Sequence, residues 1–212
     1  MKDKTILFDL DGTLIDSTCA ILQSFEMALK GTFAHFDGEK IKAMIGFPLE
    51  VMFARLGFKG VEIERCIDKY REHYTKIYLS QSSLLPKAEQ ALNLASEFGI
   101  LAVVTTKGSA FSKALLAHLG VLPLFEAVVG KDEVSEPKPS AVPILRALSL
   151  LGRGKENAFM VGDTHLDIKA AQNADISCVA VSCGYEGAES LAKHGVPVLS
   201  NAYEAVKFIS LN

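Results

Sequence analysis

The chain carries no excess of basic residues: 22 Lys and Arg face 25 Asp and Glu, a formal net charge of -3. Proteins that hold nucleic acid or an anionic membrane surface present a basic face, so neither is an expected partner. Cysteine is sparse. Cys19, Cys66, Cys178 and Cys183 form no C-x-x-C pair, which argues against a zinc site and against a disulfide framework. Two of them lie in apolar runs, so reduced thiols and a cytoplasmic location are expected. No apolar stretch nears the roughly 18 residues of a membrane helix. The run before Asp9 is too short for a signal-peptide core, so no leader is expected. Internal repeats and low-complexity segments are absent as well.

What remains is an ordinary globular composition, 49% hydrophobic and 22% charged over 212 residues. Short apolar runs at 5–8, 100–104, 127–129, 158–161 and 176–181 have the length of buried strands. Helical patterns at 88–98, 109–119, 141–151 and 167–174 separate the later ones, and Gly99, Gly120 and Gly152 stand where helix-ending glycines do. Strand alternating with helix predicts an α/β fold, a Rossmann-like parallel sheet with helices on both faces. Residues 14–83 break the rhythm. They hold helical periodicity at 15–30, 38–45, 49–56 and 61–79 and no convincing strand. The expected division is therefore a core of residues 1–13 and 84–212 and an inserted α-helical unit of residues 14–83.

Polar residues gather where the predicted strands end. The first strand runs into Asp9-Leu10-Asp11-Gly12-Thr13, the second into Thr105-Thr106-Lys107-Gly108, and the fourth into Gly162-Asp163-Thr164 with Asp167 four residues on. Ligands of open parallel sheets bind beyond these carboxyl ends. Asp9 and Asp11, two apart on an extended backbone, face the same side. Asp163 and Asp167 can meet across one helical turn. Glu136-Pro137-Lys138-Pro139 supplies a natural counter-charge in Lys138. Gly12 allows a tight turn beside a ligand.

This set suits phosphoryl transfer. A carboxylate and a phosphate ester repel each other, and Mg²⁺, which takes hard oxygen ligands, would offset the repulsion. Asp9, Asp163 and the Asp11 backbone carbonyl could supply oxygens to the metal. Lys138 would face the charge of the transferring group, with Thr105 and backbone amides near Leu10 and Gly12 holding the remaining oxygens. Asp9 would attack phosphorus, and Asp11 would protonate the leaving oxygen and later take a proton from water.

Asp9-Leu10-Asp11-Gly12-Thr13-Leu14-Ile15-Asp16-Ser17 resembles the first motif of the haloacid dehalogenase superfamily. Val104-Thr105-Thr106-Lys107, Glu136-Pro137-Lys138-Pro139 and Gly162-Asp163-Thr164-His165-Leu166-Asp167 resemble its other three, in the same order. The resemblance implies a Rossmann-like core with a C1-type helical cap and Mg²⁺ as cofactor. It implies Asp9 as nucleophile, Asp11 as general acid/base, and Gly12, Thr105, Thr106 and Lys138 at the phosphate. Asp9, Asp11, Asp163 and Asp167 would form the metal site. Thr106 stands where many relatives have asparagine, and Ala141 where a second proline is common.

The acid at position 11 sets the chain apart from dehalogenases, phosphonatases and transport ATPases of the superfamily. The run Gly12-Thr13-Leu14-Ile15-Asp16-Ser17 is most similar to phosphoglycolate phosphatases and related small-ester phosphatases. The implied partner is a small phosphorylated metabolite, with the chain a monomer or homodimer. A phosphomutase of the β-phosphoglucomutase type, a pyrophosphatase or nucleotidase, and a catalytically silent binding protein stay open. Within residues 14–83, Ile45-Gly46-Phe47-Pro48-Leu49 resembles a substrate-specificity loop, so Gly46 and Phe47, flanked by Lys42 and Arg55, are the candidate substrate contacts. Tyr70, Tyr74 and Tyr78 recur every fourth residue as a packing stripe.

Overall fold

A computed structural model describes residues 2–212. In chain order its elements are β1 (Lys4–Phe8), β2 (Ile15–Asp16), α1 (Thr18–Leu29), α2 (Gly38–Lys42), α3 (Leu49–Arg55), α4 (Val61–Ile77) and β3 (Ser83–Leu84). Then come α5 (Ala88–Phe98), β4 (Gly99–Val104), α6 (Ser109–His118), β5 (Ala127–Val129), α7 (Val142–Leu150), β6 (Ala158–Gly162), α8 (His165–Ala174), β7 (Ser177–Val181), α9 (Ala188–Ala192), β8 (Val198–Leu199) and α10 (Ala202–Leu211).

Six strands form one parallel sheet in the order β5-β4-β1-β6-β7-β8. Side chains alternate across it, as the two-residue strand period requires. Ile6, Phe8, Leu101 and Val103 face the helices α5, α6 and α10, whereas Leu7, Ala102 and Val104 face α7, α8 and α9. Covered on both sides, the strands can be apolar throughout. The order reverses direction at β1, so the carboxyl ends of β1, β4 and β6 frame a crevice.

The segment between β1 and β4 departs from the expectation of a purely helical insert. Leu10 turns back on itself through its carbonyl, which accepts from the amides of Thr13, Leu14 and Ile15. Ile15–Asp16 then pairs antiparallel with Ser83–Leu84. Two-residue strands carry too little sequence to show a period, which is why this ribbon was hidden. The four helices between the ribbon strands bury a cluster of their own, centred on Phe25, Phe53, Tyr70 and Tyr74. On α1 the buried positions Ile21, Phe25, Ala28 and Leu29 follow the helical repeat. Full burial of Phe25 and of Phe53 contributes about 1.5–3 kcal/mol each. Gly99 does end α5, its amide donating to the Ala95 carbonyl, but in an extended conformation that also opens β4, unlike the left-handed Gly120 and Gly152. Among the described residues, no helix is long and apolar enough to cross a membrane.

Candidate active site

Asp9 follows the last residue of β1 at the centre of the sheet and is 4% exposed. Its amide donates to the Val161 carbonyl, which ties the loop to β6. Asp163, one residue beyond β6, and Asp167, on the first turn of α8, are fully buried. One carboxylate oxygen each from Asp9, Asp163 and Asp167 lies within 4.8 Å of the others. Lys138, also buried, reaches across to all but one of them. Its Nζ sits 2.9 Å from Asp9 Oδ1 and 2.5 Å from Asp167 Oδ1, and it donates to the Val104 carbonyl at 3.0 Å.

Each acid is held differently. Asp167 Oδ2 accepts from the amide and the hydroxyl of Thr164, closing a capping box at the start of α8. Asp163 Oδ1 accepts from the Thr13 hydroxyl at 2.8 Å, and its Oδ2 from the Tyr185 amide at 2.9 Å. Asp9 Oδ1, although close to Lys138, is out of line for a hydrogen bond and has no other partner. Gly12 has φ +84, and a Cβ there would lie 2.4 Å from Asp163 Oδ2. Both the backbone conformation and the close approach therefore demand glycine.

The charges in this nest do not balance. Three buried carboxylates face one lysine, leaving two negative charges unmatched. Burial pushes the Asp9 carboxyl up to about 7; Lys138 opposes this, while Asp167 and Asp11 add to it. Burial, then the charges of Asp9 and Asp167, push Asp163 well above the usual carboxylate range. Burial alone would push the Lys138 amine down, but Asp167 and Asp9 hold it up. An all-oxygen donor set with a deficit of two positive charges and an unpartnered oxygen fits a hard divalent cation. Asp9 and Asp163 are the residues that would hold it. Asp167 is already paired with the Lys138 charge, whereas Asp163 has no cation beside it among the described residues, so Asp167 would take an outer position.

Asp11, whose backbone carbonyl is the oxygen expected at the metal, engages its side-chain carboxylate elsewhere. It accepts from the Ser17 hydroxyl, and Lys107 Nζ lies 3.2 Å from its other oxygen. Lys107 also donates to the Tyr74 hydroxyl at 2.7 Å, and its ammonium sits 4.7 Å from that ring's centre. Asp11 and Lys107 border a cavity of about 390 Å³ between the sheet and the four helices.

Thr105 is buried at the end of β4, and its hydroxyl oxygen accepts from the Lys107 amide at 3.2 Å, leaving its proton free to donate. The Thr106 hydroxyl donates to the Gly46 carbonyl at 2.8 Å, so it joins sheet to helical unit rather than pointing a free donor at the acids. Gly46 and Phe47 line the cavity; Lys42 and Arg55 do not. The Arg55 guanidinium instead stacks on Phe47 at 3.8 Å. A second crossing contact joins Lys131 to Glu50 at 2.6 Å.

Sequence reasoning passed over Lys107, Tyr70 and Arg71, which the cavity brings together. A lysine directly after the Thr105-Thr106 pair was a usable signal. The tyrosine stripe is indeed a stack, with ring centres 5.4 Å apart from Tyr70 to Tyr74 and from Tyr74 to Tyr78, yet its first two members also line the cavity.

Comparison with known proteins agrees with this geometry. The family model described as haloacid dehalogenase-like hydrolase matches residues 6–181. A phosphoglycolate phosphatase from Photorhabdus laumondii is 33% identical over 197 residues, 89% of this chain and 84% of that protein. Pyrophosphatase PpaX from Oceanobacillus iheyensis is 33% identical over 183 residues, 86% and 85% of the two chains. A solved haloacid dehalogenase-like family hydrolase from Streptococcus pneumoniae superposes with a TM-score of 0.86 at 27% identity, covering 97% of each chain.

Proposed function

The chain belongs to the haloacid dehalogenase-like hydrolase family, and from that premise we propose that it is a Mg²⁺-dependent phosphatase acting on small phosphate monoesters through a phosphoryl group carried on Asp9. The observation that carries this reading is the buried Asp9 carboxylate at the end of the central strand. One of its oxygens has no hydrogen-bond partner, and Lys138 and two further acids lie alongside.

Asp9 supplies the attacking oxygen, and the bond from phosphorus to the ester oxygen breaks. Lys138 offsets the repulsion between the carboxylate and the incoming anion. The free Thr105 hydroxyl proton and the backbone amides after β1 hold the phosphoryl oxygens. Asp11 borders the cavity on the leaving-group side, where it donates a proton to the departing alcohol. It then takes one from the water that cleaves the phosphoaspartate. Asp9 and Asp163, with Asp167 behind them, would hold Mg²⁺, which when bound would supply charge neutralisation at the phosphoryl group. Residues 14–83 act as a cap over the site. Gly46 and Phe47 meet the sheet, and their closure excludes water.

The names of the relatives make 2-phosphoglycolate and pyrophosphate the first compounds to assay. Phosphate release that requires Mg²⁺ and falls on the order of 10⁴-fold or more in Asp9→Asn is the expected result. A folded Asp9→Asn protein that keeps its rate removes Asp9 as the nucleophile.

A further inference from the structure

The cavity beside Asp11 carries information about the leaving group, on the premise that the site is a phosphatase. Its volume, about 390 Å³, falls within the roughly 300–1,000 Å³ of pockets that enclose drug-sized ligands. A two-carbon acid would leave most of that space unfilled. The walls are mainly apolar: Ile21, Ile45, Leu49 and Met52 from the helical unit, and Phe111 from α6. Phe111 meets Tyr74 edge-on at 5.3 Å, so the wall is a rigid aromatic corner rather than a loose surface.

Two polar features refine this. Tyr70 is 5% exposed and lines the cavity, and its hydroxyl has no hydrogen-bond partner among the described residues. Lining the cavity, that hydroxyl is open to water or to a polar atom of a ligand. The cations, meanwhile, are placed badly for a short acid. At the buried end Lys107 is engaged by Asp11 and Tyr74, and Lys138 by Asp9 and Asp167. Arg71 makes no ion pair among the described residues, but it lies exposed on the cavity's edge. Lys131, the remaining cation of the wall, is paired with Glu50, so among the described lining residues only the rim cation Arg71 stands outside an ion pair.

We propose that the substrate is a phosphate monoester of a ring-bearing, mainly apolar primary alcohol, with one hydrogen-bonding atom near the ester that meets the Tyr70 hydroxyl. The reaction is hydrolysis. Asp9 takes the phosphoryl group as the phosphorus–oxygen bond to the alcohol breaks, the alcohol leaves with the Asp11 proton, and water then releases inorganic phosphate.

The test measures kcat/KM of the full chain with Mg²⁺ for methyl, propyl, benzyl and 3-phenylpropyl phosphate and for 2-phosphoglycolate. The four alkyl esters all release primary alcohols, so their leaving groups differ mainly in shape. Benzyl and 3-phenylpropyl phosphate are expected to exceed propyl phosphate and 2-phosphoglycolate by roughly tenfold or more. Met52→Trp, which fills the cavity, is expected to lower the benzyl-to-methyl ratio by roughly tenfold; Leu49→Trp supplies the same comparison if that variant does not fold. Equal or better turnover of 2-phosphoglycolate, or an unchanged ratio in a folded cavity-filling variant, overturns the ring-bearing class and leaves the phosphatase reading standing. No phosphate released from any ester overturns both.

Discussion

The two sides of the crevice are built on opposite principles. The sheet side crowds Asp9, Asp163, Asp167 and Lys138 into a buried nest where each oxygen of Asp163 and Asp167 has an assigned donor. The helical side offers aromatic and aliphatic surface with few fixed polar contacts. Charges at low dielectric interact strongly and tolerate little displacement. Apolar surface is undirected and can be reshaped one side chain at a time. The sheet side therefore fixes which bond breaks, and the helical side decides which ester is held for it.

That contrast can be broken most severely through Lys138. Lys138→Met leaves three buried carboxylates without their cation. It should destabilise the protein by about 3–5 kcal/mol in urea unfolding with chelator present. Unchanged stability would mean that the nest is far more hydrated than its burial suggests.

Next in size is the metal. Mg²⁺ at about a hundredfold over its dissociation constant should stabilise the fold by about 2.7 kcal/mol, read as a rise in melting temperature over the chelated protein. Asp163→Asn should abolish that rise, whereas Met52→Ala on the helical side should keep it.

The seam between the two sides should respond more gently. Thr106→Ala removes the bond to the Gly46 carbonyl, worth about 0.5–1.5 kcal/mol to the closed arrangement. KM should rise by a few-fold, more than kcat falls; a loss confined to kcat would place Thr106 at the phosphate instead.

The smallest effect is expected from Glu50→Gln. The Lys131–Glu50 pair is half-exposed on the Glu50 side, so it contributes at most about 1 kcal/mol and weakens with salt. Burial raises the Glu50 carboxyl pKa, but the bond to Lys131, the residue's own backbone amide and the charges of Lys131 and Arg71 together outweigh it, and the group sits below its ordinary range. Its stabilising contribution is thus complete above about pH 4.3 and fades as the pH falls through the lowered pKa. Between pH 3 and 6, wild type should exceed Glu50→Gln by a constant margin above about pH 4.3, and the two stability curves should converge on the acid limb.

The sheet side was the more legible of the two in sequence. Apolar runs ending abruptly in Asp9, Thr105 and Asp163 are local patterns, and parallel topology forces such ends together. Lys138 was identifiable because three acids need a cation. The orientation of Asp11 was not, since it depends on Lys107 arriving from a different strand end. Nor did Tyr70 announce itself, because a tyrosine on a helical stripe has the same spacing whether its hydroxyl meets protein, water or a ligand. Lys42 and Arg55 were misleading for a related reason: flanking a loop in sequence does not place a side chain in the cavity that the loop borders. The short strand β8 and the helices α9 and α10 also went unread; the strand spans only two residues.

The ribbon of Ile15–Asp16 and Ser83–Leu84 has one more consequence. Chain departs from the sheet and returns to it through adjacent, paired residues, so the outgoing and incoming backbones lie one strand spacing apart. Any helical unit whose two ends meet side by side could be spliced at that point without altering strand order or the reactive nest. Shape selectivity and bond-breaking chemistry can thereby diverge as separable inheritances, and a chimera exchanging residues 17–82 for a foreign helical unit would be the natural object in which to observe it.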